Sequence, residues 1–172
     1  MLGRGMQANA SVDPPTPAQL RAAFGRFPTG VTIITCVAAD NRRIGLTANS
    51  LVSLSLDPPL LSWSLRLSSP NLSIFRDAKH FAVNVLAEAQ VDMSRRFASP
   101  VSSKFDEGQW SEGLGGAPLL AGCAASFECE QFARHDAGDH QLFIGRVLHV
   151  IDRGLSPLVF NAGRYHLVGE IL

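Results

Sequence analysis

The sequence predicts a mainly β protein, an antiparallel barrel with a few peripheral helices. Most of its apolar runs are short, rich in β-branched residues and bounded by turn residues, as strands are. Between these runs only residues 69–78 and 88–98 show helical periodicity. Two helices are too few to cover both faces of a parallel sheet, which favours an antiparallel arrangement.

The first fifteen residues predict a flexible N-terminal tail. Residues 1–15 are rich in Gly, Ala, Asn and Pro and show no apolar periodicity. We therefore place the folded domain at residues 16–172.

A short amphipathic helix opens this predicted domain. Thr16 suits the N-cap, Pro17 suits the first helical position, and Gln19 completes a capping box. The apolar residues that follow at helical spacing are Leu20, Ala23, Phe24 and Phe27. This spacing predicts an apolar face that docks on an unspecified surface.

The predicted strands follow in order, separated by turns or by the two helical segments. They are residues 31–39, 44–48, 60–67, 80–86, 123–134, 140–151 and, as two adjoining runs, 157–169. The serine-rich stretch between residues 49 and 59 is interpreted as a turn-rich connection. Residues 99–121, with their glycines and prolines, predict a long irregular excursion, and loops of that length are often functional.

Composition limits the function classes. With 172 residues and 46% hydrophobic content the chain fits one domain with a packed core. Fifteen basic and fifteen acidic residues cancel without forming long runs, so neither nucleic acid nor an acidic membrane surface is an expected partner.

The sequence also predicts a cytoplasmic protein. No apolar run is long enough to span a membrane, and the N-terminal residues lack the apolar segment of a secretory signal. The three cysteines, Cys36, Cys123 and Cys129, lie within apolar or β-like runs, which predicts reduced core thiols and no disulfide or zinc site.

Two polar stretches are candidate binding segments. Thr47, Ala48, Asn49 and Ser50 leave a strand with free donors and acceptors that suit a planar polar ligand, although these residues alone favour an ordinary turn-rich connection. The serines of residues 68–69 come before a predicted helix, where hydroxyl and N–H groups hold a phosphate or simply cap the helix.

Familiar catalytic motifs are absent from the sequence. No glycine-rich phosphate loop or GxGxxG follows a strand, and no GxSxG, HExxH or paired CxxC occurs. The histidines other than His140 are scattered without metal-ligand spacing, so no metal site is predicted.

Taken together, six blocks resemble the flavin reductase domain family, the small reductase components of two-component flavin-dependent monooxygenases. In order, the blocks read FPTGVTIIT, GLTANSLVSLSLDPPLLSWSL, FAVNVL, KFDEGQW, GDHQLFIGRV and PLVFNAGRYHLVG. The resemblance covers about residues 20–169. It implies an antiparallel split β-barrel of the FMN-binding type, usually a homodimer, with the flavin near the dimer interface.

The resemblance also implies which residues form the site. Thr47, Ala48, Asn49 and Ser50 would line the flavin ring and ribityl chain. The remaining cofactor-binding positions that it implies are Pro28, Thr29, Gly30, Ser68, Ser69, Asn71, Lys104, Phe105, Gly138, Asp139, His140 and Tyr165. His140 is the predicted catalytic residue, placed beside the flavin to position the nicotinamide.

Two positions depart from the family pattern. The phosphate loop often carries basic residues in the family, whereas only Arg66 lies nearby here. Asn161 stands where the family often has a histidine. The phosphate contact is therefore expected to rely on backbone and hydroxyl groups.

The implied activity is hydride transfer from NADH or NADPH to FMN or FAD, with the reduced flavin passed to a monooxygenase. The sequence leaves open which flavin and which nicotinamide are used. Two alternatives remain: a non-catalytic flavin or electron carrier, and a pyridoxine phosphate oxidase, whose phosphate site would require an Arg and Lys cluster that is missing here.

Overall fold

The computed structural model describes residues 13–170, so most of the predicted tail lies outside the described residues. The helices are α1 (Pro17–Phe24), α2 (Leu72–Asp77) and α3 (Val91–Ala98). Both helical segments predicted from periodicity are thus confirmed. Short 3-10 turns are found at Glu88–Gln90, Lys104–Asp106 and Leu114–Gly116.

The strands account for most of the regular structure, as predicted. They are β1 (Thr29–Gly30), β2 (Thr32–Val37), β3 (Arg43–Ala48), β4 (Val52–Leu56), β5 (Pro59–Arg66), β6 (His80–Val85), β7 (Trp110–Glu112), β8 (Pro118–Leu120), β9 (Ala125–Ala137), β10 (His140–Asp152), β11 (Val159–Asn161) and β12 (Arg164–His166). Every ladder between these strands is antiparallel.

Helix α1 starts as predicted but ends early. The capping box of Thr16 and Gln19 forms, with Pro17 in the first turn. The helix ends at Phe24, so the extension to Phe27 was wrong, and none of its residues is buried against the described chain. A backbone bond of 2.9 Å from Ala162 N–H to the carbonyl of Gly25 ties the end of α1 to the β11–β12 turn.

Seven strands form the main sheet, in the order β3-β2-β6-β9-β10-β5-β4. β3 and β4 lie at opposite edges, yet only residues 49–51 connect them. Four Cα-to-Cα steps span at most ~15 Å, whereas six strand spacings in a flat sheet span ~29 Å. The sheet must therefore curl until its edges approach, which is the barrel-like arrangement that the sequence predicts.

Strand β2 is buried on both faces because the curled sheet has a core on each side. Ile34 and Cys36 point into an inner cluster built around Trp63. Val31 and Ile33 point the other way, into an outer cluster that α3 and β8 cover. This explains why β2 reads as an unbroken apolar run without alternation.

Four aromatic side chains fill the inner cluster. Trp63 stacks on Phe143 with ring centroids 4.6 Å apart, and meets Phe75 edge-on at 5.0 Å and Phe81 at 5.9 Å. These rings come from β5, β10, α2 and β6, so their packing joins both halves of the sheet.

The three cysteines are free and buried, as predicted. Burial raises the pKa of each thiol to about 12. They act as small core residues and not as nucleophiles or metal ligands.

A buried asparagine joins three strands. The Asn84 amide donates to Ile33 O, Thr35 Oγ1 and Pro118 O at 3.2 to 3.3 Å. Its oxygen accepts the N–H of Leu120 at 2.9 Å. Because Asn84 is 0% exposed, these backbone groups have no water to replace it.

Four strands, β1, β4, β7 and β8, were missed by the sequence reasoning. β4 lies in the stretch interpreted as a turn-rich connection, although Leu and Ser alternate there with period two. β7 and β8, a two-stranded ladder, lie in the predicted excursion of residues 99–121 and are too short to show periodicity. The two-residue β1 lies in the turn that follows α1. In addition, β9 runs on to Ala137.

No helix in the described part of the chain is both long and apolar enough to cross a membrane.

We expect Asn84→Ala to lower the free energy of unfolding by about 3 kcal/mol, because it leaves several buried backbone groups unpaired. Guanidinium denaturation followed by Trp fluorescence measures the change. Gln109→Ala removes an exposed amide and should stay within about 0.5 kcal/mol of the parent. Equal stability of the two variants would contradict the proposed role of Asn84.

Candidate functional site

A cavity of about 670 Å³ opens where the curled sheet meets α2 and α3. Nine of the residues predicted for the site line it. They are Thr47, Ala48, Asn49, Ser50, Ser68, Ser69, Asn71, Lys104 and His140. The cavity therefore brings together four stretches that are far apart in the chain.

The first wall is the end of β3. The Thr47 hydroxyl donates to Ser94 O of α3 at 2.7 Å. The Ser50 hydroxyl accepts from Ser64 N–H at 3.0 Å, which fixes the β3–β4 link to β5. Both hydroxyls thus hold the wall in place, while Asn49 between them is exposed and available to a ligand.

The second wall is the turn between β5 and α2. The Ser69 hydroxyl accepts from Asn71 N–H at 3.3 Å. Ser68 is exposed, with no side-chain hydrogen bond in residues 13–170. Arg66 at the end of β5 also lines the cavity. From the sequence it was noted only as the nearest basic residue; the structure places it inside the site.

The third wall is the tip of the β9–β10 hairpin. Gly138 and Asp139 form its two-residue turn, with Gly138 at a φ of 61°, which glycine adopts without strain. The carbonyl of Asp139 accepts the N–H of Leu67 at 2.9 Å, and His140 pairs with Arg66 across the ladder. The tip thereby brings His140 into the cavity wall.

Asp139 contacts one of the two ring nitrogens of His140. Its Oδ1 lies 2.7 Å from Nδ1 of His140. The hydrogen bond from His140 and the ring's charge lower the pKa of Asp139, with a smaller contribution from Arg66. An ionised carboxylate only accepts hydrogen bonds, so Nδ1 carries a proton in either state of the ring. In the neutral tautomer that this contact selects, Nε2 is unprotonated.

The fourth wall contains Lys104, whereas its neighbour Phe105 lies outside the main cavity. Lys104 lines the cavity and donates from Nζ to Phe97 O at 2.9 Å, and burial lowers its pKa. Phe105 lines a neighbouring cavity and packs edge-on against Phe97 with ring centroids 5.0 Å apart. Phe105 therefore packs against Phe97 on the side away from the main cavity.

Tyr165 reaches the site through a small annex of about 200 Å³. The annex shares Thr47, Ala48 and Asn49 with the main cavity and is mostly apolar. The Tyr165 hydroxyl lies 2.9 Å from Ser94 Oγ, which ties β12 to α3.

Pro28, Thr29 and Gly30 line neither of these two cavities. β1 pairs with β11, and Thr29 lies opposite Phe160, whose ring lines the annex. Thr29 and Gly30 therefore lie on the strand beside β11, outside both cavities, and Pro28 directly precedes that strand. Gly138 and Asp139 act on the cavity through His140.

The lining contains hydroxyls, amides and cations but no carboxylate. Arg66 and Lys104 make it electropositive, so it favours an anionic ligand. No cluster of potential metal ligands occurs in residues 13–170. The arrangement suits a flat ring with polar edges and a phosphate tail, bound without a covalent anchor.

Sequence reasoning missed part of the lining. Ser64, Phe97 and Ala98 line the cavity, as do Ser99 and Pro100. Ser64 was hidden because it alternates with buried strand residues. The last four belong to the end of α3 and the start of the excursion, whose long-loop character was the available signal.

The chain matches the family model described as "Flavin reductase like domain" over residues 24–169. It is 43% identical over 149 residues to the stachydrine N-demethylase reductase subunit Stc3 of Rhizobium meliloti, covering 87% of this chain and 65% of that protein. It is 42% identical over 145 residues to the FMN reductase (NADH) SmoA of Agrobacterium fabrum, covering 84% and 82% of the two chains.

Among solved structures, the chain resembles the NADH:FAD oxidoreductase SgcE6 of Streptomyces globisporus C-1027, in complex with NAD and FAD fragments. The TM-score is 0.86 at 35% identity, and the match covers 93% of this chain and 97% of that one. Several curated relatives are longer: the chain spans 65%, 48% and 47% of three of them.

The Asp139–His140 contact predicts which ring nitrogen of the neutral histidine carries the proton. At about pH 8.5, where an ordinary imidazole is neutral, ¹⁵N–¹H correlation spectra should show His140 protonated on Nδ1. Asp139→Ala should move the proton toward Nε2, whereas Asp136→Ala should leave it in place. A wild-type ring protonated on Nε2 would contradict the assigned tautomer.

Proposed function

Because this chain belongs to the flavin reductase like domain family, we propose that it is an NAD(P)H-dependent flavin reductase. It transfers hydride from a reduced nicotinamide to FMN or FAD and supplies the reduced flavin to a partner monooxygenase. The observation that carries this proposal is the electropositive cavity that unites nine predicted site residues and contains no carboxylate.

The residues present fit a flavin. Asn49 and Ser68 have no side-chain hydrogen bond in residues 13–170, so both are free to bind the polar edge or the ribityl chain. Arg66 and Lys104 supply the positive charge that a phosphate requires. The mostly apolar annex beside Thr47 offers room for an apolar ring edge.

The protein's task is mainly to position two rings. A bound flavin supplies the hydride-accepting chemistry, so no strong acid or base is needed from the chain. Thr47 and Ser50 are held by α3 and β5, which keeps the wall that faces the flavin rigid. A preorganised wall lowers the entropic cost of bringing the two reactants together.

His140 positions the nicotinamide. Asp139 holds Nδ1, so Nε2 is free to accept a hydrogen bond from the carboxamide N–H of the nicotinamide. This role requires the Nδ1-protonated ring, because a proton on Nε2 would remove the acceptor.

The bound flavin must also be able to leave. The cavity offers hydrogen bonds and two cations but no covalent attachment, which suits a ligand released to a second protein. The relative HsaB of Rhodococcus jostii is named as the reductase subunit of a flavin-dependent monooxygenase, which supports delivery to such a partner. The nicotinamide donor and the reduced buried thiols favour a cytoplasmic location.

The proposal is tested by mixing the protein anaerobically with FMN or FAD and with NADH or NADPH, and following the visible absorbance of the flavin. Bleaching at substoichiometric protein is expected for at least one pair. Bound flavin without bleaching would instead identify a flavin carrier, and absence of flavin binding would overturn the proposal altogether.

We expect His140→Ala to lower kcat/KM for the nicotinamide by roughly 10²-fold through lost positioning. The flavin Kd should change little, since other walls hold the ring. His135→Ala removes an exposed histidine on β9 that does not line the cavity and serves as the matched control. Unchanged turnover of His140→Ala would refute the role assigned to this residue.

A homodimer is the assembly we propose. Val52, Leu54 and Leu56 make an exposed apolar row on the edge strand β4, and Leu56 is 94% exposed. Leu148 and Val150 are half-exposed on β10, which runs on past β5. An apolar edge strand favours pairing with another chain, and a second copy satisfies it symmetrically.

We expect Leu54→Lys to convert a dimer into a monomer in light-scattering measurements, because it places charge on this apolar edge. Leu114→Lys changes an exposed leucine in the 3-10 turn Leu114–Gly116, away from β4, and should remain dimeric. A parent protein with the mass of one chain would contradict the proposed dimer.

A further inference from the structure

Arg96 lines neither the main cavity nor the annex, yet it contacts a segment that forms part of the cavity wall. It lies in the last turn of α3, and its side chain is only 19% exposed. Residues 100–107, which we call the α3–β7 segment, bring Lys104 into the wall. The mechanism proposed above uses Lys104 and gives Arg96 no role.

The α3–β7 segment has little regular structure to fix its conformation. Apart from the 3-10 turn Lys104–Asp106 it contains no helix or strand. Among the described residues, no backbone hydrogen bond joins it to another element. Its attachment to the rest of the protein therefore depends on side chains.

The Arg96 guanidinium makes several of these attachments. Its Nε donates to Lys104 O at 3.0 Å, and one terminal nitrogen donates to Ser103 O. The other terminal nitrogen lies 2.8 Å from the Glu107 carboxylate. Ser103 and Glu107 flank the 3-10 turn, so one planar group spans both ends of it. A guanidinium can make such a set of contacts because its donors form a rigid fork, whereas an ammonium cannot.

Lys104 is consequently held at two points. Arg96 binds its backbone carbonyl, and its own Nζ donates to Phe97 O at 2.9 Å. Phe97 lies in the last turn of α3, where a cation is favoured by the helix dipole. The ammonium has further N–H donors for a ligand. Together with Arg66 it supplies the positive charge of the main cavity, so its placement decides where an anion is bound.

We propose that Arg96 is a positioning residue, which holds the α3–β7 segment so that the Lys104 ammonium meets the phosphate of the bound flavin. The inference rests on the proposed function and deepens it. Riboflavin has the ring and the ribityl chain of FMN but no phosphate. Arg96 therefore sets the preference for FMN over riboflavin, although it touches neither ligand.

The experiment measures the Kd of FMN and of riboflavin by quenching of flavin fluorescence. Arg96→Ala is expected to raise the Kd of FMN roughly tenfold, while the Kd of riboflavin and the kcat at saturating FMN stay within about twofold of the parent. Arg153→Ala is the matched control, because this guanidinium also donates to a backbone carbonyl, Cys123 O at 3.4 Å, but lines neither cavity. It should leave the ratio of the two Kd values unchanged.

Lys104→Met tests whether the effect of Arg96 passes through the lysine. In that background, Arg96→Ala should change the Kd of FMN by less than about twofold, because the group that Arg96 positions is already absent. A further loss as large as in the parent background would mean that the two residues act independently, and would overturn the proposal.

Two more variants separate positioning from charge. Arg96→Lys keeps the positive charge but cannot span the 3-10 turn, so it should lose several-fold in FMN affinity. Glu107→Ala removes a negative charge at a side chain that is 66% exposed. Charge alone would then tighten FMN binding, whereas the release of Arg96 should weaken it by about threefold and leave riboflavin within about twofold. These two variants also decide the question if Arg96→Ala does not fold.

FMN binding as tight as in the parent for Arg96→Lys or for Glu107→Ala, or tighter, overturns the proposal. Equal weakening of FMN and riboflavin in Arg96→Ala also overturns it, because that result indicates distortion of the whole cavity. Failure of the parent protein to bind or reduce any flavin is a separate result, which refutes the proposed function itself.

Discussion

The three-residue link between β3 and β4 is the constraint on which the rest of the structure depends. It joins strands at opposite edges of a seven-stranded sheet, so the sheet can only exist curled. Curling creates two cores, one inside around Trp63 and one outside under α3. The same link, with the Ser50 hydroxyl bonded to Ser64, forms a wall of the cavity that we propose binds the flavin. The same three residues therefore both close the sheet and form part of the cavity wall.

Because the sheet is closed in this way, some polar side chains of the site bond to neighbouring elements and others stay free. Thr47 and Ser50 use their hydroxyls to hold neighbouring elements, whereas Asn49 and Ser68 remain free. Asp139 acts indirectly, through the ring nitrogen of His140. If the cofactors supply the chemistry, as we propose, the site needs a rigid surface without carboxylates more than it needs a reactive side chain. Its selectivity then depends on shape and charge at the edges of the cavity.

Much of the fold and site could be predicted from the sequence because local signals and block order agreed. The capping box at Thr16, the helical periods of α2 and α3 and the long apolar strands are local features. β4 was misread because its alternating leucines face away from the core, where period two no longer reports burial. Arg66 and the separation of Phe105 from the main cavity depend on strand register and on ring packing between distant segments, which no local pattern encodes.

The burial of β2 on both faces has a consequence for how the chain finds its native pairing. Sliding β2 by one residue would exchange Ile33 and Ile34 between two apolar cores, so hydrophobicity alone penalises the slip only weakly. The polar residues must discriminate: Thr32 donates to Ala48 O at 2.8 Å, and Thr35 donates to Pro118 O at 2.6 Å while accepting from Asn84. A slipped strand would bury these hydroxyls unpaired. The threonines of this strand thus fix its register, while its isoleucines contribute hydrophobic packing that is nearly independent of register.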